Sequence, residues 1–146
     1  MSRQRGFSLI ELLIVVAIIL IIASIAIPSL LSAKISANAA SAVSSIRTLN
    51  TAQVTYQSTF PTVGYASALS ALGPSAATGC GAAGPTSTNA CIVDYTLAVA
   101  STPGTAKSGY YFAMGVAVAN SVNMGYTVWG RAVSVQSDWS ARVLRE

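Results

Sequence analysis

Residues 5–28 read Arg5-Gly6-Phe7-Ser8-Leu9-Ile10-Glu11-Leu12-Leu13-Ile14-Val15-Val16-Ala17-Ile18-Ile19-Leu20-Ile21-Ile22-Ala23-Ser24-Ile25-Ala26-Ile27-Pro28. From Phe7 to Ile27 this is a run of 21 residues interrupted only by Ser8, Glu11 and Ser24. As a helix rising 1.5 Å per residue it spans about 31 Å, the thickness of a bilayer core of about 30 Å. It is apolar on every side, so it requires lipid or other helices around it. Arg3 and Arg5 precede it, and no basic residue follows until Lys34. That asymmetry predicts a cytoplasmic N-terminus, with the rest of the chain across the membrane.

Three readings compete for the segment. A secretory signal peptide would be cut near Ser32-Ala33, but signal-peptide apolar cores run about 7–15 residues, and this run is longer and carries Glu11. A plain membrane anchor leaves Glu11 unexplained, because a carboxylate in an apolar helix is unfavourable and marks a function. The third reading takes the Gly6-Phe7 junction and Glu11 as the informative features.

On those residues the chain resembles the type IV prepilins, over the stretch from Arg5 to Ser29. The resemblance implies a short basic leader ending at Gly6. A dedicated membrane peptidase would cut after Gly6 and methylate the new N-terminal Phe7. The family's hallmark glutamate, fifth after the cut, falls on Glu11, and its helix-kinking proline, 22nd after the cut, on Pro28. One position departs: many type IV pilins have a glycine midway along the apolar segment, and Leu20 stands here. Removing residues 1–6, with Arg3 and Arg5, turns 146 residues and a charge of +4 into 140 residues and +2. In a bundle of apolar helices the Phe7 amine and the Glu11 carboxylate are then the charges in need of partners, and buried charges are tolerated when paired. The resemblance implies that Glu11 of one subunit pairs with the amine of its neighbour and fixes their register.

Past Pro28, which lacks an amide hydrogen and kinks a continuing helix, the pattern becomes amphipathic. Ile35, Ala39, Ala42, Ile46, Leu49, Gln53 and Tyr56 make a stripe with one polar member. Phe60-Pro61 ends the helix, because the residue before proline is pushed out of the α region. The expected helix runs from Phe7 to Thr59, roughly 80 Å, and a chain of this size cannot bury all of it. Residues 61–108 read as a connecting region, with a short helix over 65–72 and a loop over 73–90. Cys80 and Cys91 flank part of that loop. In an exported chain they are expected to pair; the other readings, free thiols or half a metal site, lack further Cys or any His to complete them. Residues 92–100 fit a strand or a short helix equally.

From Gly109 the chain turns to β patterning. Strands are expected over 110–118, over 126–135 with a break into two at Gly130, and over 141–145, with 136–140 as a turn. The fold class is therefore α+β. A long N-terminal helix, membrane-spanning then amphipathic, packs on an antiparallel sheet of three or four strands. The divisions are 1–6 leader, 7–27 membrane or filament-core helix, 28–60 amphipathic helix, 61–108 connecting region and 109–146 sheet, with 28–146 one head.

Composition argues against an enzyme. The chain is 53% hydrophobic and 8% charged, with no histidine and four acidic residues, which removes every His base, His ligand and Ser–His or Cys–His pair. Asp94 and Asp138 stand apart from other acids, so no calcium site or other metal site is expected, and no cofactor is implied. Arg131, Arg142 and Arg145 fall near Trp129 and Trp139, a mixture that can bind single-stranded nucleic acid or an acidic surface, but a charge of +2 is weak support. A solvated sheet edge with core tryptophans explains the same residues. The expected function is a structural subunit of a pilus-like filament. Its partners are like subunits, the prepilin peptidase and methyltransferase, an inner-membrane assembly platform, and membrane lipid before assembly. The alternatives are a minor pilin, a type II secretion pseudopilin, or an anchored binding module that never polymerises. The expected location is the inner membrane, then the cell surface or the periplasm.

Overall fold

The computed structural model describes residues 7–81 and 84–133. The chain divides into two compact units, Met1–Ala37 and Asn38–Glu146. Helix α1, Leu9–Thr59, contributes its first part to one and the remainder to the other.

In the first unit the helix starts at Leu9 rather than at the expected Phe7, and the Ser8 carbonyl accepts from the Leu12 amide at 3.3 Å as the first turn closes. The helix passes through Pro28. That proline offers no amide to the carbonyl one turn back, at Ser24. The Ser24 hydroxyl donates to the Ile21 carbonyl at 2.7 Å, so it is paired within the helix.

In the second unit α1 buries one face. Of the expected stripe, Ala42, Ile46, Leu49, Gln53 and Tyr56 are buried, Ala39 is half-buried and Ile35 is exposed. Tyr56, Leu49 and Ile46 pack with Leu69, Leu72, Leu97, Phe112 and Val128 in one core. Gln53, the polar member, is fully buried and reads the backbone of Ala66 at both ends. Its Nε2 donates to the Ala66 carbonyl at 2.9 Å, and its Oε1 accepts from the Ala66 amide at 2.8 Å. On the opposite face Thr48, Thr51, Thr55 and Thr59 are exposed and donate their hydroxyls to the helix carbonyls four residues back, at 2.9–3.1 Å.

Between helix and sheet the chain makes two four-residue helices, α2 (Leu69–Leu72) and α3 (Tyr95–Ala98), and a 3-10 turn, Pro103–Thr105. The region 92–100, open between strand and helix from sequence, thus holds a helix. Asp94 decides it: its carboxylate caps α3 by accepting from the Leu97 amide at 3.2 Å. It also accepts from the Thr96 hydroxyl and lies 3.7 Å from the Lys107 ammonium. Asp94 thus caps its own helix and ties it to Lys107. The short helix expected within Tyr65–Leu72 covers only its last four residues.

Strands β1 (Tyr110–Ala119) and β2 (Val122–Ala132) pair antiparallel, with Phe112 opposite Gly130 and Met114 opposite Val128. A shift between Ala117 and Val118 leaves Met124 unpaired as a bulge. The connecting residues Asn120 and Ser121 have φ of 51° and 65°, the geometry of a type I′ hairpin turn.

Among the described residues the sheet has two strands, not three or four. The strand expected over 141–145, the turn over 136–140 and residues 134–135 lie outside the described residues. The break expected at Gly130 is absent, and β2 runs through it. A Cβ there would sit 3.1 Å from the Phe112 ring, so the glycine serves close packing, not a strand end. β2 also begins earlier than expected, at Val122. The Asn123 amide donates to the Val63 carbonyl at 3.0 Å, and Asn123 accepts from the Tyr65 amide at 3.0 Å. Gly64 lies between them with φ of 82°, and a Cβ there would overlap the Asn123 carbonyl.

Candidate functional site

Chemistry is concentrated at the start of α1. Phe7 and Ser8 precede the helix in non-helical backbone, and Phe7 is exposed. Leu9 is the first helical residue, which makes Glu11 the third. The first amides of any helix lack an internal partner. Here the Glu11 carboxylate turns back, and its Oε2 accepts from the Ser8 amide at 2.9 Å. The Leu12 amide donates to the Ser8 carbonyl at 3.3 Å and closes the first turn. This is the glutamate arm of a capping box, and a negative charge in the first turn also suits the helix dipole. The Ser8-Leu9-Ile10-Glu11 spacing is the sequence signature of such a box. It identifies Ser8 as a site residue, which reading Glu11 only as an assembly residue passed over.

Beyond Glu11 the helix offers nothing polar to a partner for several turns. Leu12, Leu13, Ile14, Val15, Val16, Ile18, Ile19, Leu20, Ile21 and Ile22 are all exposed. The segment is long and apolar enough to cross a membrane by length and composition. Glu11 is thus the one carboxylate on an apolar rod, one turn from its beginning. Comparison with known families agrees: residues 1–27 match the prokaryotic N-terminal methylation motif. The motif marks a type IV pilin- or pseudopilin-like protein. No curated protein and no solved structure matches the chain.

In this pilin-like chain the motif implies processing by a prepilin peptidase, and members of such families are typically not enzymes. The apolar helix is consistent with inner-membrane anchoring before assembly. Of the residues singled out from sequence, Gly6, Arg142 and Arg145 lie outside the described residues. Phe7 precedes α1, Glu11 lies in its first turn, and Pro28 lies within that helix. Arg131 is exposed on β2 opposite Tyr111.

Cys80 and Cys91 form a disulfide with their Cα atoms 5.9 Å apart. The far arm of that loop is fastened from both sides. The Tyr56 hydroxyl donates to the Ser87 carbonyl at 2.6 Å. The Ala90 amide donates to Ala71 at 2.8 Å and the Ile92 amide to Leu72 at 2.7 Å. Burial pushes the Tyr56 phenol above its usual range. Partial burial pushes the Asp94 carboxyl up, but the Thr96 hydroxyl, the Lys107 ammonium and the Leu97 amide outweigh it and hold the group below the usual carboxylate range.

Proposed function

We propose that this chain is a structural subunit of a type IV pilus-like filament. It is made as a prepilin, cut after Gly6 and N-methylated on Phe7. It polymerises by packing its apolar helix among those of other copies, with Glu11 pairing the N-terminal amine of a neighbour. The reading rests on one combination: the methylation motif over residues 1–27 heads a helix whose first half exposes apolar side chains all round and which carries a single carboxylate, Glu11. Such a surface is stable only in lipid or against like helices. A carboxylate and a newly made amine at its head are then the natural charge pair.

In this reading residues 1–6 are the discarded leader and 7–27 the membrane and filament-core segment. Residues 28–60 continue as the amphipathic helix, 61–108 connect, and 109–146 supply the sheet of the head. Pro28 marks where the helix passes from its apolar to its amphipathic half. Arg131 alone does not make a basic surface, and nucleic acid is not among the proposed partners.

Two measurements test the proposal: the mass of the mature N-terminus, and recovery of the chain with filaments sheared from cells. Expected are a chain beginning at N-methylated Phe7 and its enrichment in the sheared fraction. A mature N-terminus at Met1, or cleavage near Ala33, defeats the reading. Correct processing with recovery only from periplasmic filaments assigns the chain to the pseudopilins, and recovery only from membranes assigns it to anchored modules.

A further inference from the structure

Glu11 has two carboxylate oxygens, and contacts among the described residues use one. Oε2 accepts from the Ser8 amide at 2.9 Å, and among the described residues Oε1 has no partner. The bond runs backward along the chain. It holds the carboxylate toward the N-terminal end of the helix, where Phe7 lies, instead of leaving it to turn among Leu12, Val15 and their neighbours. It also satisfies a main-chain amide that would otherwise be orphaned in apolar surroundings.

We infer that the Ser8 main-chain amide is a positioning group for assembly: it holds Glu11 by one oxygen so that the other is presented to the Phe7 amine of a second copy of this chain. The inference rests on the filament reading above. A carboxylate has room for several donors, so the amide and an incoming ammonium bind together and do not compete. The bond to Glu11 is made by the Ser8 main chain, not its hydroxyl. What matters is the N–H, which every residue except proline supplies.

The test separates the amide from the hydroxyl. The full-length chain, with its peptidase and assembly machinery, is compared as native, Ser8→Ala and Ser8→Pro. Three quantities are read: the mass of the mature N-terminus, the filament yield after shearing, and carbodiimide cross-links between Glu11 of one copy and Phe7 of another, identified by mass spectrometry. Ser8→Ala keeps the N–H and is expected to match the native chain. Ser8→Pro, once processed, is expected to lose cross-links and filaments by about tenfold or more, the effect of one hydrogen bond to a charged group. Native cross-linking and yield in processed Ser8→Pro overturn the inference.

If Ser8→Pro escapes processing, amide exchange at Ser8 decides, measured by NMR on the native chain and on Glu11→Ala in detergent. Slower exchange in the native chain is expected, and equal rates overturn the inference. Filaments from Glu11→Ala overturn the Glu11 pairing itself. Filaments lost in Glu11→Ala but kept in Ser8→Pro overturn only the positioning role.

Discussion

Replacing Gln53 by leucine probes how the helix grips the head. Gln53 and Ala66 are both fully buried. The two hydrogen bonds between the Gln53 amide and the Ala66 backbone, at 2.9 and 2.8 Å, satisfy one N–H and one C=O. Ala66 follows Tyr65, whose amide donates to the Asn123 carbonyl of β2 at 3.0 Å and whose own carbonyl accepts from the Asn123 side chain at 2.6 Å. Gln53 therefore fastens a segment that joins helix to sheet edge.

Leucine has a similar volume and neither polar group. Each orphaned buried backbone group costs about 1–3 kcal/mol. The extra apolar burial of leucine returns about 1–2 kcal/mol. At the centre of those ranges the net expected loss for the two groups is about 2–3 kcal/mol. The assay is urea unfolding of the full-length chain in detergent, followed by tryptophan fluorescence. With a slope of about 1–3 kcal/mol per molar, the midpoint falls by roughly 1–2 M. Gln53→Glu, which accepts but does not donate, is expected to lie between native and Gln53→Leu. A Gln53→Leu midpoint within error of native would show that the Ala66 groups find other partners and would refute the reasoning.

Three further outcomes follow from the same contacts. Ser121→Gly relieves a non-glycine residue held at φ of 65° in the hairpin turn and is expected to stabilise by about 0.5–1 kcal/mol in the same urea assay, since left-handed backbone is costly for L-residues. The Asp94 carboxyl titrates below its ordinary value through Thr96, Lys107 and Leu97 against an opposing effect of burial. Its contribution to stability is thus present above the usual carboxylate pKa of about 4 and is lost as pH falls through the lowered folded value; Asp94→Asn should flatten that part of an acid-unfolding profile. Tyr56→Phe removes the 2.6 Å bond to the Ser87 carbonyl and is expected to lower stability by about 0.5–1.5 kcal/mol. In the native chain the raised Tyr56 value means the contribution is complete below a pH of about 10 and disappears as pH rises through the folded value, read by tyrosinate absorbance alongside unfolding.

The rod was legible because two strong signals agree: an apolar run of lipid-spanning length and a Phe60-Pro61 stop, and the helix indeed ends at Thr59. The buried stripe from Ala42 to Tyr56 followed from helical spacing, and the start of β1 from the Gly109 boundary. What escaped was governed by contacts a pattern does not carry. Gly130 looked like a strand break, yet its missing side chain makes room for Phe112. The strand start at Val122 depends on Asn123 bonding to Val63 and Tyr65, far away in sequence. Helices of four residues, such as Tyr95–Ala98, are too short for periodicity, and only the cap at Asp94 announces one. At the site, Glu11 stood out as a charge inside the apolar run and the Gly6-Phe7 junction as its boundary. Ser8 also interrupts that run, but its bond to Glu11 is made by its main chain, which the side chain does not announce.

The bond between Cys80 and Cys91 also orders events in time. A reducing cytoplasm keeps thiols apart, and disulfides form where the surroundings oxidise. The neighbours of Cys91 are already tied to α2 through Ala90 and Ile92, so one arm of the loop can take its place without the bond, while the arm carrying Cys80 is fastened by it. Folding of this region therefore includes a step that only an oxidising compartment permits, and the arm carrying Cys80 depends on it.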